Sequence, residues 1–478
     1  MSKIKKSLDK IFQLYRQVGI DNTLDVINDV TSLLYLKSLE DFEVVTNSGF
    51  LLEGTVFEGR EKYRWSYLLT LDYNELFDIY QKEIVPFIEV LPNLNVNRNF
   101  FNIEKTKLKP EAFFLVFSEI NKIFLLDLDG EKVNKSNIII YDDIYETLLS
   151  YLRESIGSIE LATPKHIRRL MCALLQLKHW DKVYDTSMGV GSLLIAAYHT
   201  MVVANVPAYR IVKDADGFDC CPPYNDTLTT SIFRRNLILE GSNDNELFTW
   251  LCFMNFYFHR INLNQSQFQV FPTSNDYKIN KYDRVLSVFP TKNSVSKLFD
   301  ETDKLEPEGV CAMIVPISLL YKGGKMLIQR KRLVVDYCIK AVIALPKQVF
   351  APIAKVNTAI LLFENKPSSN SDSIWFCDLY NDGYSNDKRR VKTQDMPLPT
   401  LVDAYLSHSE MRNDCFCSKN IPLIDVLNNE CSLLVAEYVD SVDDKEMDLD
   451  PKKIIKELVV LQDKLGKGIG DLTKFLEL

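Results

Sequence analysis

The sequence lacks the features that mark secreted, membrane and zinc-binding proteins. No hydrophobic run approaches the length needed to cross a bilayer, and the start Met1–Lys6 leads directly into an amphipathic pattern. The ten cysteines are scattered without a Cys-x-x-Cys pair, and the adjacent Cys220 and Cys221 are poorly placed to serve one tetrahedral zinc ion. We therefore expect a reduced, metal-free, cytoplasmic protein with no membrane segment.

Positive charge is also in deficit, which limits how the chain could contact nucleic acid. Its 56 lysines and arginines face 65 acidic residues, so the formal net charge is -9. This balance argues against a protein that coats nucleic acid unaided, but it leaves room for a local basic surface or a basic partner. At 478 residues, 46% hydrophobic and 25% charged, the chain is long enough for two or three globular domains.

One stretch, residues 182–194, has the composition of a ligand-binding turn. It consists of a short apolar strand, a tight turn with two glycines and the start of a helix. Glycine permits positive φ and close approach of a ligand, and a helix that follows directs free N–H groups at the turn. Asp185, Gly189 and Gly191 are therefore candidate cofactor contacts, and Asp219, after another predicted strand, is a candidate ribose contact. An ordinary tight turn explains the glycines equally well.

Periodicity divides the chain into three predicted regions. Apolar residues at helical spacing predict a mainly helical domain over residues 1–155. Strands that alternate with helices over 156–365 predict an α/β fold with a doubly wound, mostly parallel, Rossmann-like sheet. Residues 366–478 form a C-terminal helical extension, in which apolar residues from Ile454 to Leu476 step by three or four. Whether this helix packs on the chain itself or on a partner stays open.

The predicted sheet would bring the candidate side chains to one edge. Ligands of open α/β sheets bind beyond the carboxyl ends of the strands. We expect Asp185, Asp219 and the loop 287–290, which follows a buried strand, to meet there. A crossover helix is expected over 227–239.

Several motifs occur in a recognisable order along the chain. Thr163-Pro164 precedes the first helix of the predicted sheet region, Asp185 precedes Gly189-Val190-Gly191, and Asp219 follows. Residues 309–365 then contain Val315-Pro316, Leu320-Tyr321-Lys322-Gly323-Gly324, Ala341–Pro346 and Asn357–Leu361. As a set these motifs resemble the modification (M) subunits of type I restriction–modification systems, which are adenine-N6 DNA methyltransferases.

This resemblance implies a cofactor, a substrate and partners. S-adenosylmethionine would be held by Thr163, Asp185, Gly189, Gly191 and Asp219. The substrate would be double-stranded DNA. A DNA-specificity subunit, and a second M-like or restriction subunit, would be the protein partners.

The chain departs from the family at the residues that carry the chemistry. The family has Asn/Asp-Pro-Pro-Tyr/Phe after the fourth strand, where the first residue accepts a hydrogen bond from the amino group and the ring stacks on the flipped base. Val288, Phe289, Pro290 and Thr291 take those places, and valine has no acceptor while threonine has no π face. A register shifted by one puts Ser287 first.

The methyl-donor loop departs from the family as well. Thr186, Val190 and Ser192 replace proline, serine and glycine, and Leu161 and Ala162 stand where aromatic residues line the pocket. The pocket is therefore expected to be partly eroded. The surviving Asp185, Gly189, Gly191 and Asp219 leave S-adenosylmethionine binding open.

These departures predict a catalytically impaired member of the family. Loss of a positioned acceptor should cost several kcal/mol of transition-state stabilisation, or several powers of ten in rate. We expect a pseudoenzyme that acts as a DNA-binding scaffold subunit in a restriction–modification or related anti-phage defence complex. The alternative is an active adenine-N6 methyltransferase with a divergent acceptor loop, in which Ser287 accepts from the amino group and Phe289 stacks on the base. A methyltransferase of RNA or protein is a third hypothesis, which only the generic glycine loop supports.

In each version, basic clusters are the candidate DNA contacts. They are Arg330, Lys331 and Arg332 on a predicted helix, Lys388, Arg389 and Arg390 in a polar loop, and the pair Arg168 and Arg169. For each residue taken singly, a solvated helix face or loop explains the charge at least as well.

Overall fold

The structure is a computed structural model. It describes residues 3–46, 56–90, 103, 105–126, 137–156, 163–221, 237–242, 246–259, 261, 267–271, 281–288, 303–351, 353, 356–369, 372–387, 389–439 and 462.

The N-terminal region is helical, as the periodicity predicts. Its helices are α1 Lys3–Gln17, α2 Thr23–Thr46, α3 Trp65–Leu68, α4 Tyr73–Ile79, α5 Val85–Val90, α6 Pro110–Leu126 and α7 Asn137–Ile156. One turn of π-helix, Tyr80–Ile84, joins α4 to α5. Apolar side chains at helical spacing, such as Leu8, Ile11 and Tyr15 on α1, are buried, so burial of these faces stabilises the bundle.

The second region is built on one nine-stranded sheet. Its strands are β1 Lys182–Asp185, β4 Ile238–Ser242, β5 Gln267–Phe271, β6 Tyr282–Val288, β7 Leu305–Pro316, β8 Cys338–Ala344, β9 Thr358–Glu364, β10 Ser373–Leu379 and β11 Phe416–Pro422. Their order is β11-β10-β8-β9-β7-β6-β1-β4-β5. All pairings are parallel except those of β9 with β7 and β8 and of β11 with β10.

Helices cover both faces of this sheet. The longer ones are α8 Lys165–Leu174, α9 Ser192–Val203, α10 Glu246–Phe258, α12 Lys325–Asp336 and α13 Pro397–Leu406, and the short α11 Ile317–Tyr321 and α14 Leu423–Asn428 follow strands. Along β6, Leu286 and Val288 belong to one buried cluster and Val285 belongs to the other. Such alternation places successive side chains on opposite faces, so both faces are buried. The predicted doubly wound α/β fold is confirmed.

The helical region packs onto the sheet region through α10. The Tyr145 hydroxyl of α7 donates to the Leu251 carbonyl at 2.9 Å, and the Ser38 hydroxyl of α2 donates to Tyr257 Oη at 3.1 Å. Tyr35 and Trp250 meet edge to face, with ring centroids 5.9 Å apart. The helix that contacts the N-terminal helices also contacts the glycine loop, as described below.

Three features differ from the sequence expectations. Asp219 lies in a hairpin of β2 Val212–Lys213 and β3 Asp219–Cys220, outside the main sheet. The crossover helix expected over 227–239 is wrong at its end, where Ile238 opens strand β4. The sheet also continues beyond the expected boundary at residue 366, through β10 and β11.

Two further expectations concern the chain's helices. The helix expected at Thr163-Pro164 begins at Lys165 with Pro164 at the N-cap. The leucine-rich stretch 454–476 lies outside the described residues, apart from residue 462. Within the described ranges, no helix is long and apolar enough to span a membrane.

Candidate functional site

The glycine loop joins β1 to α9 in the predicted strand–turn–helix arrangement. Gly189 and Gly191 have φ of +52° and +74°, in the left-handed region that side chains with a Cβ rarely adopt. Gly191 is the N-cap residue of α9. The two glycines are therefore required by the backbone of the turn, whatever the turn binds.

The ends of the two neighbouring strands hold this loop. The Thr186 amide donates to the Leu286 carbonyl at 3.2 Å, and the Thr186 hydroxyl donates to Ser287 Oγ at 2.8 Å. Strand β6 therefore holds one side of the glycine loop. On the other side, the Ser242 hydroxyl at the end of β4 donates to the Thr186 carbonyl at 2.6 Å. The Ser242 carbonyl accepts from the Met188 amide at 3.1 Å. Both strand ends are thus engaged with the loop.

Helix α10 packs directly on the second glycine. A Cβ added to Gly191 would lie 2.5 Å from Cys252 Sγ and 2.7 Å from Phe256 Cε2, far inside contact distance. Asn255 of the same helix donates from Nδ2 to the Val190 carbonyl at 2.7 Å. Burial, together with the nearby Asp185 carboxylate, raises the pKa of the Cys252 thiol well above its ordinary value. The thiol therefore stays neutral and acts as a small apolar packing group.

Protein atoms enclose the described residues of the glycine loop. The close approach that Gly191 permits is occupied by protein atoms of α10. Asp185 is 1% exposed and accepts from the Ser187 amide at 3.1 Å, and Met188 and Val190 are buried too. On the side of α10, the described residues leave no space for a ligand at Gly191.

Asp219 does not join Asp185, contrary to the expectation. Gly217, with φ of +84°, closes the β2–β3 hairpin, and Asp214 Oδ1 accepts from the amides of Asp216 and Phe218 at 2.9 Å. The run Asp-x-Asp-Gly is a turn pattern that could have predicted this hairpin. The exposed Asp219 carboxylate pairs with Lys213 at 2.7 Å.

A cavity of about 330 Å³ shows where Asp219 lies instead. Its lining includes Arg169, Thr200, Phe218 and Asp219. Thr200 is nine residues along α9 from Gly191, or about 13 Å at 1.5 Å per residue. Asp219 therefore lies beside the far end of this helix, and the strand next to β1 carries Glu240 and Ser242 in its place.

The candidate acceptor residues are only partly described. Ser287 is 0% exposed, and its hydroxyl faces Thr186 as given above. Val288 is 2% exposed and ends β6. Phe289 and Pro290 lie outside the described residues.

The basic candidates separate into buried and exposed groups. Arg330 is 3% exposed, and Arg390 forms an ion pair with the buried Asp382, so the expectation that these two face DNA is wrong. Lys331, Arg332 and Arg389 are exposed, and Lys388 lies outside the described residues. A buried guanidinium needs carboxylate or carbonyl partners, which it finds here inside the protein.

Arg168 and Arg169 are buried as well, which corrects their assignment to a DNA surface. Arg168 lies 3.6 Å from Glu146 of α7, and Arg169 lies 3.5 Å from Asp214 and donates to the Asp219 carbonyl at 2.5 Å. Burial lowers the pKa of Arg168 to about 10. These arginines join α8 to its neighbours.

A further polar cluster was missed by sequence reasoning. His166 Nε2 lies 3.0 Å from Asp382 Oδ2, and its ring stacks on Tyr384 at 4.1 Å between centroids. Burial alone would raise the pKa of Asp382, but His166 and Arg390 hold that pKa below its ordinary value. The Tyr384 hydroxyl donates to Asp216 Oδ1 at 3.0 Å, so this cluster ties the 382–390 loop to α8 and to the β2–β3 hairpin.

Comparison with known proteins gives one consistent relationship. The sequence model of the N-6 DNA methylase family matches residues 137–294 and 280–447. The type I restriction enzyme MjaVIII methylase subunit of Methanocaldococcus jannaschii is 24% identical, over 99% of this chain and 86% of the relative. The MpnII methylase subunit of Mycoplasma pneumoniae is 25% identical, over 78% of this chain and 70% of the relative.

Solved structures share the fold. A chain from a type I R-M complex superposes with a TM-score of 0.60, at 18% identity, and covers 100% of this chain and 99% of its own. The type I methyltransferase subunit from Streptococcus thermophilus superposes with a TM-score of 0.61, at 16% identity, over 91% and 99% of the two chains. At these identities the likeness concerns the fold alone.

Proposed function

The chain belongs to the N-6 DNA methylase family, and we propose that it acts as an M-type subunit of a type I restriction–modification complex with little or no methyl transfer of its own. It contributes a DNA-binding and scaffold role to that complex. The breadth of the sequence match, over 99% of the chain with the first relative described, supports the M-type assignment.

One observation carries the proposed loss of catalysis. The Ser287 hydroxyl, which would have to accept from the amino group in a divergent acceptor loop, is fully buried and already accepts from Thr186. Val288, in the first place of the acceptor motif, offers no acceptor at all. Among the described residues at the end of β6, a base amino group would therefore find no exposed side-chain oxygen. This geometry supports the impaired subunit over the active alternative.

The family indicates the cofactor, and the geometry of the loop bears on how tightly this chain would bind it. Its members imply S-adenosylmethionine chemistry, and Thr163, Asp185, Gly189, Gly191 and Asp219 are the residues the motif pattern predicts for the donor. Packing of α10 on Gly191 and the remote hairpin position of Asp219 favour weak binding or none.

We extend the proposal to the chain's organisation and partners. Residues 1–155 form the helical domain, 156–365 the methyltransferase-like core and 366–478 the extension, of which 372–439 adds two strands to the core sheet. The partners are double-stranded DNA, a specificity subunit that meets the leucine-rich stretch 454–476, and a second M-like or restriction subunit. The exposed Lys331, Arg332 and Arg389 remain candidate DNA contacts.

The test is a methylation assay on the assembled complex. The full chain is co-expressed with its specificity subunit, and DNA incubated with S-adenosylmethionine is digested and analysed for N6-methyladenine by mass spectrometry. We expect a stable complex and a rate at least about a hundredfold below that of an active family member, since the loss of one positioned hydrogen-bonding group at a transition state costs that much or more.

Ser287→Ala and Asp185→Ala variants supply the contrast. Robust N6-methyladenine that disappears in either variant would contradict the proposed impairment and support the active alternative. Failure to assemble with any specificity subunit would contradict the M-type role itself.

A further inference from the structure

The connection from α11 to α12, taken with the last residue of α11 and the first residue of α12, is exposed and carries positive charge. Its residues, Tyr321 to Lys325, are all exposed, and Tyr321 keeps 47% of its surface accessible. We refer to Tyr321-Lys322-Gly323-Gly324-Lys325 as the glycine–lysine loop. The two lysines flank a pair of glycines, so cationic side chains stand on both sides of a bare stretch of backbone.

The sheet places this loop at its ligand-binding edge. Strand β7 runs parallel to β6 and β1, and α11 follows β7 directly. The loop after α11 therefore lies toward the carboxyl ends of the same strands that end at Asp185 and Val288. In open α/β sheets, this edge faces the ligand.

A buried arginine holds the loop from beneath. Arg330 donates to the carbonyls of Leu319 at 2.9 Å, Lys322 at 3.0 Å and Tyr321 at 3.4 Å, and from Nε to the Cys431 carbonyl at 2.7 Å. These bonds turn carbonyl oxygens inward, where they cannot repel an approaching anion. The loop thus keeps its cationic side chains outward and its acceptors inward.

The glycines leave room for a large ligand. A Cβ added to Gly323 or Gly324 would meet no atom within 4 Å, so open space surrounds this backbone. Gly324 has φ of +67° and ψ of -135°, a conformation that is essentially restricted to glycine. Absence of side chains here allows a phosphate group to approach the backbone closely.

Charges of both signs lie near the loop. Further along α12, Arg332 lies seven residues from Lys325 and so on the same face, although it pairs with Asp336 at 3.3 Å. The acids that act on Arg330 from the neighbouring segment include Glu430 and Glu437, and Glu437 accepts from Asn429 at 2.8 Å. No salt bridge involves Lys322 or Lys325 among the residues that the structure describes.

We infer that the glycine–lysine loop is a contact site for the phosphate backbone of duplex DNA, with Lys322 and Lys325 on successive phosphates and Gly323-Gly324 against the strand. This inference rests on the proposed DNA-binding role and names the surface that performs it. The buried Arg330 shapes that surface from within.

The test is the salt dependence of DNA binding by the full chain. A fluorescein-labelled duplex of mixed sequence is titrated by anisotropy, alone and with co-purified partners, at several salt concentrations. Each phosphate contact contributes about 0.9 to the slope of log K against log salt, so K322A/K325A should lower the magnitude of this slope by about 2 and weaken binding about 10- to 100-fold at 0.1 M salt.

Gly323→Val adds bulk to the backbone of the loop without changing its charge. This variant should weaken DNA binding about tenfold, with an unchanged Tm.

The control variant K62A/K82A also removes two positive charges, from exposed ion pairs with Glu83 and Asp78 in the helical region. It should bind DNA as the wild type does. If the wild type binds but either loop variant binds equally well, the inference is overturned and the proposed function stands. If the wild type binds no duplex, alone or with partners, both fail.

Discussion

Substitution of Gly191 by alanine separates a glycine kept for packing from a glycine kept for a ligand. The added methyl group would lie 2.5 Å from Cys252 Sγ and 2.7 Å from Phe256 Cε2, in a residue whose φ is +74°. Left-handed backbone costs a residue with a Cβ about 1–2 kcal/mol, and overpacking of a core adds about 1–3 kcal/mol. We expect Gly191→Ala to lower the free energy of unfolding by about 2–5 kcal/mol.

A second substitution identifies the clash. Cys252→Ala removes the sulfur that the new methyl group would meet, so the double variant should recover about 1 kcal/mol relative to the sum of the single changes. Urea unfolding followed by far-UV circular dichroism measures all four proteins, with equal m-values as the sign of an unchanged unfolding reaction. A Gly191→Ala protein of wild-type stability would refute the packing that we describe around the loop.

The buried Asp29 and the partly exposed Glu146 give further predictions. Burial raises the pKa of Asp29 to about 7. The stability that Asp29 contributes is therefore full below its ordinary pKa and is lost as pH rises through 7, so thermal unfolding should show a loss of about 3 kcal/mol in the free energy of unfolding between pH 5 and 8. This loss should be absent in Asp29→Asn, and parallel pH profiles of the two proteins would contradict the prediction. Burial alone would raise the pKa of Glu146, but Arg168 and Arg153 hold this pKa well below its ordinary value. The stability that Glu146 contributes is therefore present above the ordinary pKa of glutamate and is lost in acid. Glu146→Gln should lower the free energy of unfolding by about 3 kcal/mol at pH 7, the low end for a broken buried pair, because 27% of the Glu146 side chain is exposed. This cost should shrink below about pH 4. A cost independent of pH would contradict the ion-pair account.

The strands of the central sheet were predictable because their residues are apolar and β-branched over the right length. Strand 182–185 lies before the glycine turn as expected, and strand 282–288 is the buried strand expected before the loop 287–290, although it extends to residue 288. The β2–β3 hairpin was missed because its strands have two residues each, too short for periodicity. Strands β10 and β11 were missed because they follow a polar segment that has the composition of a linker.

The candidate site was harder to predict, because burial of a charged residue depends on partners far away in sequence. Arg330 stands in the run Gln-Arg-Lys-Arg, which reads as a solvated face, yet its guanidinium binds the carbonyl of Cys431, 101 residues away. Arg330 stands four residues after Met326 and three residues before Leu333, and this helical spacing could have placed it on the inner face of the helix. The hydrogen bond between Thr186 and Ser287 has no sequence pattern at all, since it joins the ends of two strands 101 residues apart.

We propose that packing of α10 on Gly191 weakens or abolishes binding of S-adenosylmethionine at the glycine loop. Calorimetric titration of the purified full chain with S-adenosylmethionine tests it without a partner or a DNA target. We predict no binding, or a Kd weaker than about 1 mM, which corresponds to a binding free energy of about -4 kcal/mol. Micromolar binding that is lost in Asp185→Ala would contradict the claim and return the loop to the role of a donor site.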